Sequence, residues 1–167
     1  CTFCSVHTIW GREFRARSGK NVVTELQSLI KDYGIKEIQI EDDNLTYSKP
    51  RAHELLDRMI EADLGLSYTT PNGIAAWVLD QSLLEKLRKV GFYRLTIAIE
   101  SGNEEVLNKI IRKPLKLAKC VEVINIAKSL GFEIDTFFVV GFPGETKEQI
   151  QDTFNFANTL NIDNAKF

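Results

Sequence analysis

At 167 residues, with 44% hydrophobic and 26% charged side chains, the chain can bury a core and has the make-up of a single globular domain over residues 1–167. A net charge of −2 gives no field that would gather nucleic acid or an anionic membrane surface, and no run of about 18 apolar residues is present to span a membrane. Three cysteines, two of them only three positions apart, make no disulfide framework and point to a reducing, cytoplasmic setting.

Taken in order, the chain opens on Cys1-Thr-Phe-Cys4, a pair of thiols directed into one small volume. From Asn21 to Tyr33, Val22, Leu26, Leu29, Ile30 and Tyr33 recur at helical spacing, and Gly34 stands where a left-handed cap belongs. Ile35–Ile40 alternates as a strand and breaks into the polar loop Glu41-Asp42-Asp43-Asn44. Ser48 and Pro50 open a second helix with the stripe Ala52, Leu55, Leu56, Met59 and Ile60, which Gly65 is expected to close. The strand Leu66–Thr70 is expected to end in a turn at Pro71-Asn72-Gly73, and Asp80 caps a helix carrying Leu83, Leu84, Leu87 and Val90. A strand at Tyr93–Ile99 runs into Glu100-Ser101-Gly102. The following helical region is expected to break at Pro114, with Cys120 on its apolar stripe as a core residue.

Phe132–Val140 is the most strand-like segment, and Gly141-Phe-Pro-Gly-Glu145 turns it into a helix opened by the capping box Thr146-x-x-Gln149 with the stripe Ile150, Phe154, Ala157 and Leu160. Ala165-Lys-Phe167 reads as the start of another strand. Helix, glycine, strand and polar loop thus recur as the βα unit of a parallel sheet, with each polar cluster after a strand, where barrel folds place their sites. The expected fold is α/β: a partial (βα)6 TIM-like barrel with outer helices, in which the first strand and most of the sixth are missing.

These motifs resemble the radical SAM enzymes. Cys1-Thr-Phe-Cys4 matches the last four positions of that family's Cys-x-x-x-Cys-x-aromatic-Cys, which places the first cysteine of the motif upstream of Cys1. Asp42-Asp43-Asn44 stands at the family's Gly-Gly-Glu type motif with its glycines replaced. Ile99-Glu100-Ser101-Gly102 and Val139-Val-Gly-Phe-Pro-Gly-Glu-Thr146 resemble the elements after its fourth and fifth strands.

The resemblance implies that Cys1 and Cys4 ligate a 4Fe-4S cluster whose open iron is chelated by S-adenosylmethionine, with cleavage to a 5'-deoxyadenosyl radical. By the same resemblance Asp43, flanked by Asp42 and Asn44, takes the amino group, and Glu100 and Ser101 meet the ribose and carboxylate region. Arg112 or Lys113 takes the methionine carboxylate, Gly141 and Pro143 line the adenine, and Phe3 leans on the adenosine. A small-molecule substrate and a reductant such as a flavodoxin or ferredoxin are the implied partners. A closer likeness to the cobalamin-binding radical SAM proteins, through Trp10–Ser18, Glu41–Asn44 and Thr70-Pro-Asn-Gly73, implies a corrin cofactor in a longer protein.

Plainer readings stand beside these. Cys1 and Cys4 alone suit zinc held with two ligands from another chain, Asp42-Asp43-Asn44 suits a solvated turn, and Arg12, Arg15, Arg17 and Lys20 suit a solvated basic loop. A phosphate loop at Gly141–Gly144 lacks the P-loop lysine and the Rossmann glycine spacing. With two thiolates, the 167 residues alone are expected to hold no intact cluster.

Overall fold

The structure, a computed structural model, describes residues 1–11 and 13–167; Arg12 of the basic loop lies outside the described residues. Strands β1 (Glu37–Gln39), β2 (Ser67–Ile74), β3 (Phe92–Glu100), β4 (Glu133–Phe138) and β5 (Asn164–Lys166) form one sheet in chain order, every neighbour parallel. The helices are α1 (Val6–Trp10), α2 (Gly19–Tyr33), α3 (Lys49–Ala62), α4 (Gln81–Val90), α5 (Leu117–Ser129) and α6 (Lys147–Thr159). Because every crossover moves one strand in the same direction and parallel crossovers are right-handed, the connecting helices fall on one face of the sheet. This is the expected open barrel.

That face holds the core. Leu95, Ile97 and Ile99 of β3 and Ile134 and Phe138 of β4 pack with Leu83, Leu84 and Leu87 of α4 and Val123, Ile124 and Ala127 of α5, all almost fully buried. Each such leucine, isoleucine, valine or phenylalanine side chain contributes about 1.5–3 kcal/mol over its exposed state. The alternate residues of the strands make the opposite face, which carries Arg94, Thr96, Glu133 and Asp135 beside Ala98 and Phe137. Arg94 pairs with its register partner Glu133 at 2.6 Å, and Asp135 accepts from Asn164 at 2.9 Å and Lys166 at 3.0 Å.

Local differences from the expected boundaries have identifiable causes. β1 is only Glu37–Gln39, at the sheet's edge. β2 does not turn at Pro71-Asn72-Gly73 but runs on to Ile74, because a register shift between Thr70 and Ile74 absorbs the proline as a bulge. α2 begins at Gly19, where the Ser18 hydroxyl accepts from the Asn21 N–H, and α3 ends on Asp63 in the left-handed region, two residues before Gly65. Before Pro114 the chain forms a π-helical turn, Val106–Ile111, and leaves it at Arg112. The inward stripe of α6 is Thr153, Phe156, Ala157 and Leu160; Phe154 lies outside it, against Phe167 with ring centroids 4.8 Å apart.

Candidate cofactor site

The thiol loop is held by its two middle residues. The Thr2 N–H and hydroxyl donate to the carbonyls of Ile111 and Ile110, each at 2.9 Å, and Phe3 packs on Phe142 with ring centroids 5.5 Å apart. A π-turn leaves carbonyls without the usual partners, so the Val106–Ile111 segment offers Thr2 a docking point. Cys1 is exposed and Cys4 half-buried, both free thiols. Cys120 is buried in the α5 core, and burial pushes its thiol up to about 12, which leaves it uncharged and unsuited to ligation. His7 lies on α1, exposed.

Asp42 and Asp43, after β1, are exposed, and among the described residues neither carboxylate has a hydrogen-bond or ion-pair partner. Asn72 holds the backbone of this loop, donating to the carbonyls of Glu41 at 3.4 Å and Asp42 at 3.3 Å, so the bulge in β2 and the acidic loop support one another. The Asn44 side chain accepts from the buried Thr46 hydroxyl at 3.1 Å.

At the end of β3, Glu100 has φ 77°, a left-handed conformation that costs a non-glycine residue energy and recurs at ligand sites. Its carboxylate Oε1 accepts from the Lys113 ammonium at 2.9 Å, with only 12% and 4% of the two side chains exposed. The ammonium also lies 5.5 Å from the centre of the Trp77 ring. Arg112, at φ 55°, turns the chain so that Lys113 enters the structure while Arg112 itself stays exposed. Of the two candidate cations, Lys113 therefore already faces a carboxylate.

Beyond β4, the Glu145 carboxylate Oε2 accepts from the N–H groups of Gly141 at 2.6 Å and Phe142 at 3.0 Å, closing the glycine loop on itself; Gly141 and Pro143 are exposed. Thr146 and Gln149 cap α6 reciprocally, as expected. Ser101 is fully buried, its hydroxyl 3.1 Å from that of Thr153 on α6.

Contacts thus join three of the four sequence stations: the thiol loop to the π-turn and to Phe142, and the Glu100 loop to α6. Among the described residues, no hydrogen bond or ion pair links Asp43 to these three. A family model described as "Radical SAM superfamily" matches residues 1–157.

The chain belongs to the radical SAM superfamily.

The radical SAM chain is 39% identical, over its whole length, to cytidylyl-2-hydroxyethylphosphonate methyltransferase of Streptomyces wedmorensis. It is 31% identical, again over its whole length, to an uncharacterized methyltransferase of Pyrococcus horikoshii. It covers 32% and 36% of these two relatives, about a third of each. In fold it is similar to the radical S-adenosylmethionine methyltransferase TsrM from Kitasatospora setae, a structure with cobalamin and a [4Fe-4S] cluster bound. The TM-score is 0.80 at 17% identity, covering 89% of this chain and 30% of that one.

The family uses a 4Fe-4S cluster and S-adenosylmethionine. The residues here fit them in part: two free thiols lie on one docked turn, while no group of three or more His, Cys, Asp or Glu among the described residues gathers closely enough to hold a metal ion. No described helix is long and apolar enough to cross a membrane. Sequence reading missed Thr2, Asn72, Trp77, Glu145 and Thr153. Glu145 carried a signal in the turn Gly141–Glu145, but Trp77 and Thr153 act through partners remote in sequence.

Proposed function

We propose that this chain is the cluster- and S-adenosylmethionine-binding core of a radical enzyme that methylates a small-molecule substrate with help from cobalamin held elsewhere in a longer protein. The observation that supports it best is that the thiol loop, the Glu100 loop and the Gly141 loop are joined by contacts around the C-terminal ends of two adjacent parallel strands. The 39% identity to a phosphonate-nucleotide methyltransferase favours methyl transfer as the outcome. When bound, the cluster and S-adenosylmethionine supply one-electron chemistry at the sulfonium.

The residues divide the work by charge. Cys1 and Cys4 hold the cluster as thiolates, and Thr2 keeps their loop against the π-turn. Asp43, unpaired within the described residues, receives the ammonium of the methionine end, with Asp42 and Asn44 shaping its loop. Arg112 receives the methionine carboxylate, because it is exposed whereas the Lys113 charge is spent on Glu100. Glu100 keeps Oε2 for ribose hydroxyls, Gly141 and Pro143 border the adenine, and Phe3 with Phe142 forms an apolar wall that excludes water. A flavodoxin- or ferredoxin-like reductant in the cytoplasm completes the reading.

The test uses the full-length protein, reconstituted anaerobically with iron and sulfide. About four irons and four sulfides per chain, saturable S-adenosylmethionine binding, and a methylated product are expected. A protein that takes up zinc but neither an iron-sulfur cluster nor S-adenosylmethionine would overturn the proposal.

A further inference from the structure

α6 presents one stripe, Gln149, Asp152, Thr153 and Phe156, at the i, i+3, i+4, i+7 spacing of a single helix face, and every member of it touches the segment Ser101–Glu105. Gln149 donates to Glu105 at 3.3 Å, and Asp152 accepts from the Asn103 side chain at 2.8 Å. A Cβ added to Gly102 would lie 2.6 Å from the Phe156 Cβ and 2.7 Å from the Thr153 Cα, so only glycine allows the loop this close.

The centre of the stripe is a buried pair of hydroxyls. Thr153 donates to the Gln149 carbonyl at 3.3 Å, so at 3.1 Å the Ser101 hydroxyl is the donor and Thr153 the acceptor. Thr153 also accepts from the Gly102 N–H at 3.0 Å, which uses its single hydrogen and both lone pairs. Ser101 in turn accepts from the Asn103 N–H at 3.1 Å. The Ser101 side chain is thereby occupied inside the protein, directly after the strained Glu100. The same helix begins at the end of the Gly141–Glu145 loop, so α6 spans from one loop to the other.

We infer that Thr153 is a positioning residue: its hydroxyl, through Ser101 and Gly102, fixes the Glu100 loop to the helix that carries the Gly141 loop, and so sets the spacing of the two loops around the nucleoside of S-adenosylmethionine. This rests on the cofactor reading proposed above. Ser101 acts through this pair and not by touching the cofactor.

The experiment compares the full-length, reconstituted protein with its Thr153→Val, Thr153→Ser and Ser101→Ala variants, measuring iron content, S-adenosylmethionine affinity, and amide exchange at Gly102 and Asn103 without cofactor. Thr153→Val is nearly isosteric and puts a methyl group in place of the hydroxyl. It should weaken binding about tenfold and speed exchange at both amides, with iron unchanged. Thr153→Ser, which keeps the hydroxyl, should bind within about twofold of the unaltered protein. Ser101→Ala should behave like Thr153→Val, and it decides the matter if Thr153→Val does not fold. Unchanged affinity in Thr153→Val, or in Ser101→Ala where that variant decides, overturns the inference; so does an equal loss in Thr153→Ser. Failure of the unaltered, cluster-loaded protein to bind S-adenosylmethionine instead overturns the cofactor reading on which the inference stands.

Discussion

Burying an ammonium without a carboxylate beside it is strongly unfavourable, and Lys113, with 4% of its side chain exposed, has Glu100 for that purpose. Asp43 is in the opposite situation, exposed and without a partner among the described residues, so the two acids that resemblance assigns to one cofactor should fail differently when altered. Glu100→Gln leaves the Lys113 charge uncompensated and should destabilise the full-length protein by about 3 kcal/mol in urea unfolding. The double variant with Lys113→Met should recover much of that loss, since breaking a buried pair costs more than replacing it. Asp43→Asn should leave unfolding unchanged and weaken S-adenosylmethionine binding by about 1.5–3 kcal/mol, measured by titration at constant iron. Equal affinity in Asp43→Asn would move the amino-group contact to another residue. The pairing of Glu100 with Lys113 could not be read from the sequence, where Arg112 and Lys113 are adjacent cations of equal standing. It was decided by the left-handed turn at Arg112.

At the scale of elements, the helices end where local chemistry says they should when the signal is a hydrogen bond. The Asp80 cap on α4, the Thr146–Gln149 box on α6 and the left-handed Gly34 after α2 were all legible, because each depends on atoms within a few residues. Pro71-Asn72-Gly73 was misread for the complementary reason. Its turn chemistry is real, but pairing with β3 on one side draws the chain on to Ile74, and the bulge accommodates the proline. The π-turn at Val106–Ile111 likewise answers to tertiary contacts, since its end carries Thr2 on one side and directs Lys113 toward Glu100 on the other. Since α6 carries two loops, its cap has consequences beyond the helix. Thr146→Ala should cost about 1 kcal/mol in urea unfolding and speed amide exchange in the first turn of α6; no change in either measurement would show that Glu145 and the loop hold the helix start unaided.

Across the whole molecule, β5 is joined to the rest by carboxylates as much as by apolar packing. Asp163 accepts from Lys128 on α5 at 2.8 Å and from the Ile134 N–H of β4 at 2.7 Å, and these contacts hold its carboxyl below the ordinary range, the lysine hydrogen bond being the largest cause. Burial pushes Asp135 up, yet hydrogen bonds from Asn164 and Lys166 outweigh it and its carboxyl is lowered too. A carboxyl depressed in the folded state contributes stability that is present above its unfolded value, about 3.9, and lost as pH falls through the folded value. The thermal midpoint should therefore hold between about pH 5 and 7 and fall steadily below about pH 4, with a shallower fall in Asp163→Asn. An identical acid slope in that variant would remove Asp163 from the account.

The sequence by itself determined the parallel βα succession, most of the apolar stripes, the caps and the order of the polar loops that follow the strands. Periodicity and capping are local, and a right-handed crossover leaves little choice of topology once strands and helices alternate. Only the tertiary structure decided which groups meet: Thr2 with Ile110, Glu100 with Lys113 and Lys113 in turn with Trp77, Ser101 with Thr153. The physical reason is that a buried hydroxyl or charge must find its partner in space. Most of these partners lie tens of residues away, and the nearest, Lys113, is reached only through the π-turn and the left-handed Arg112.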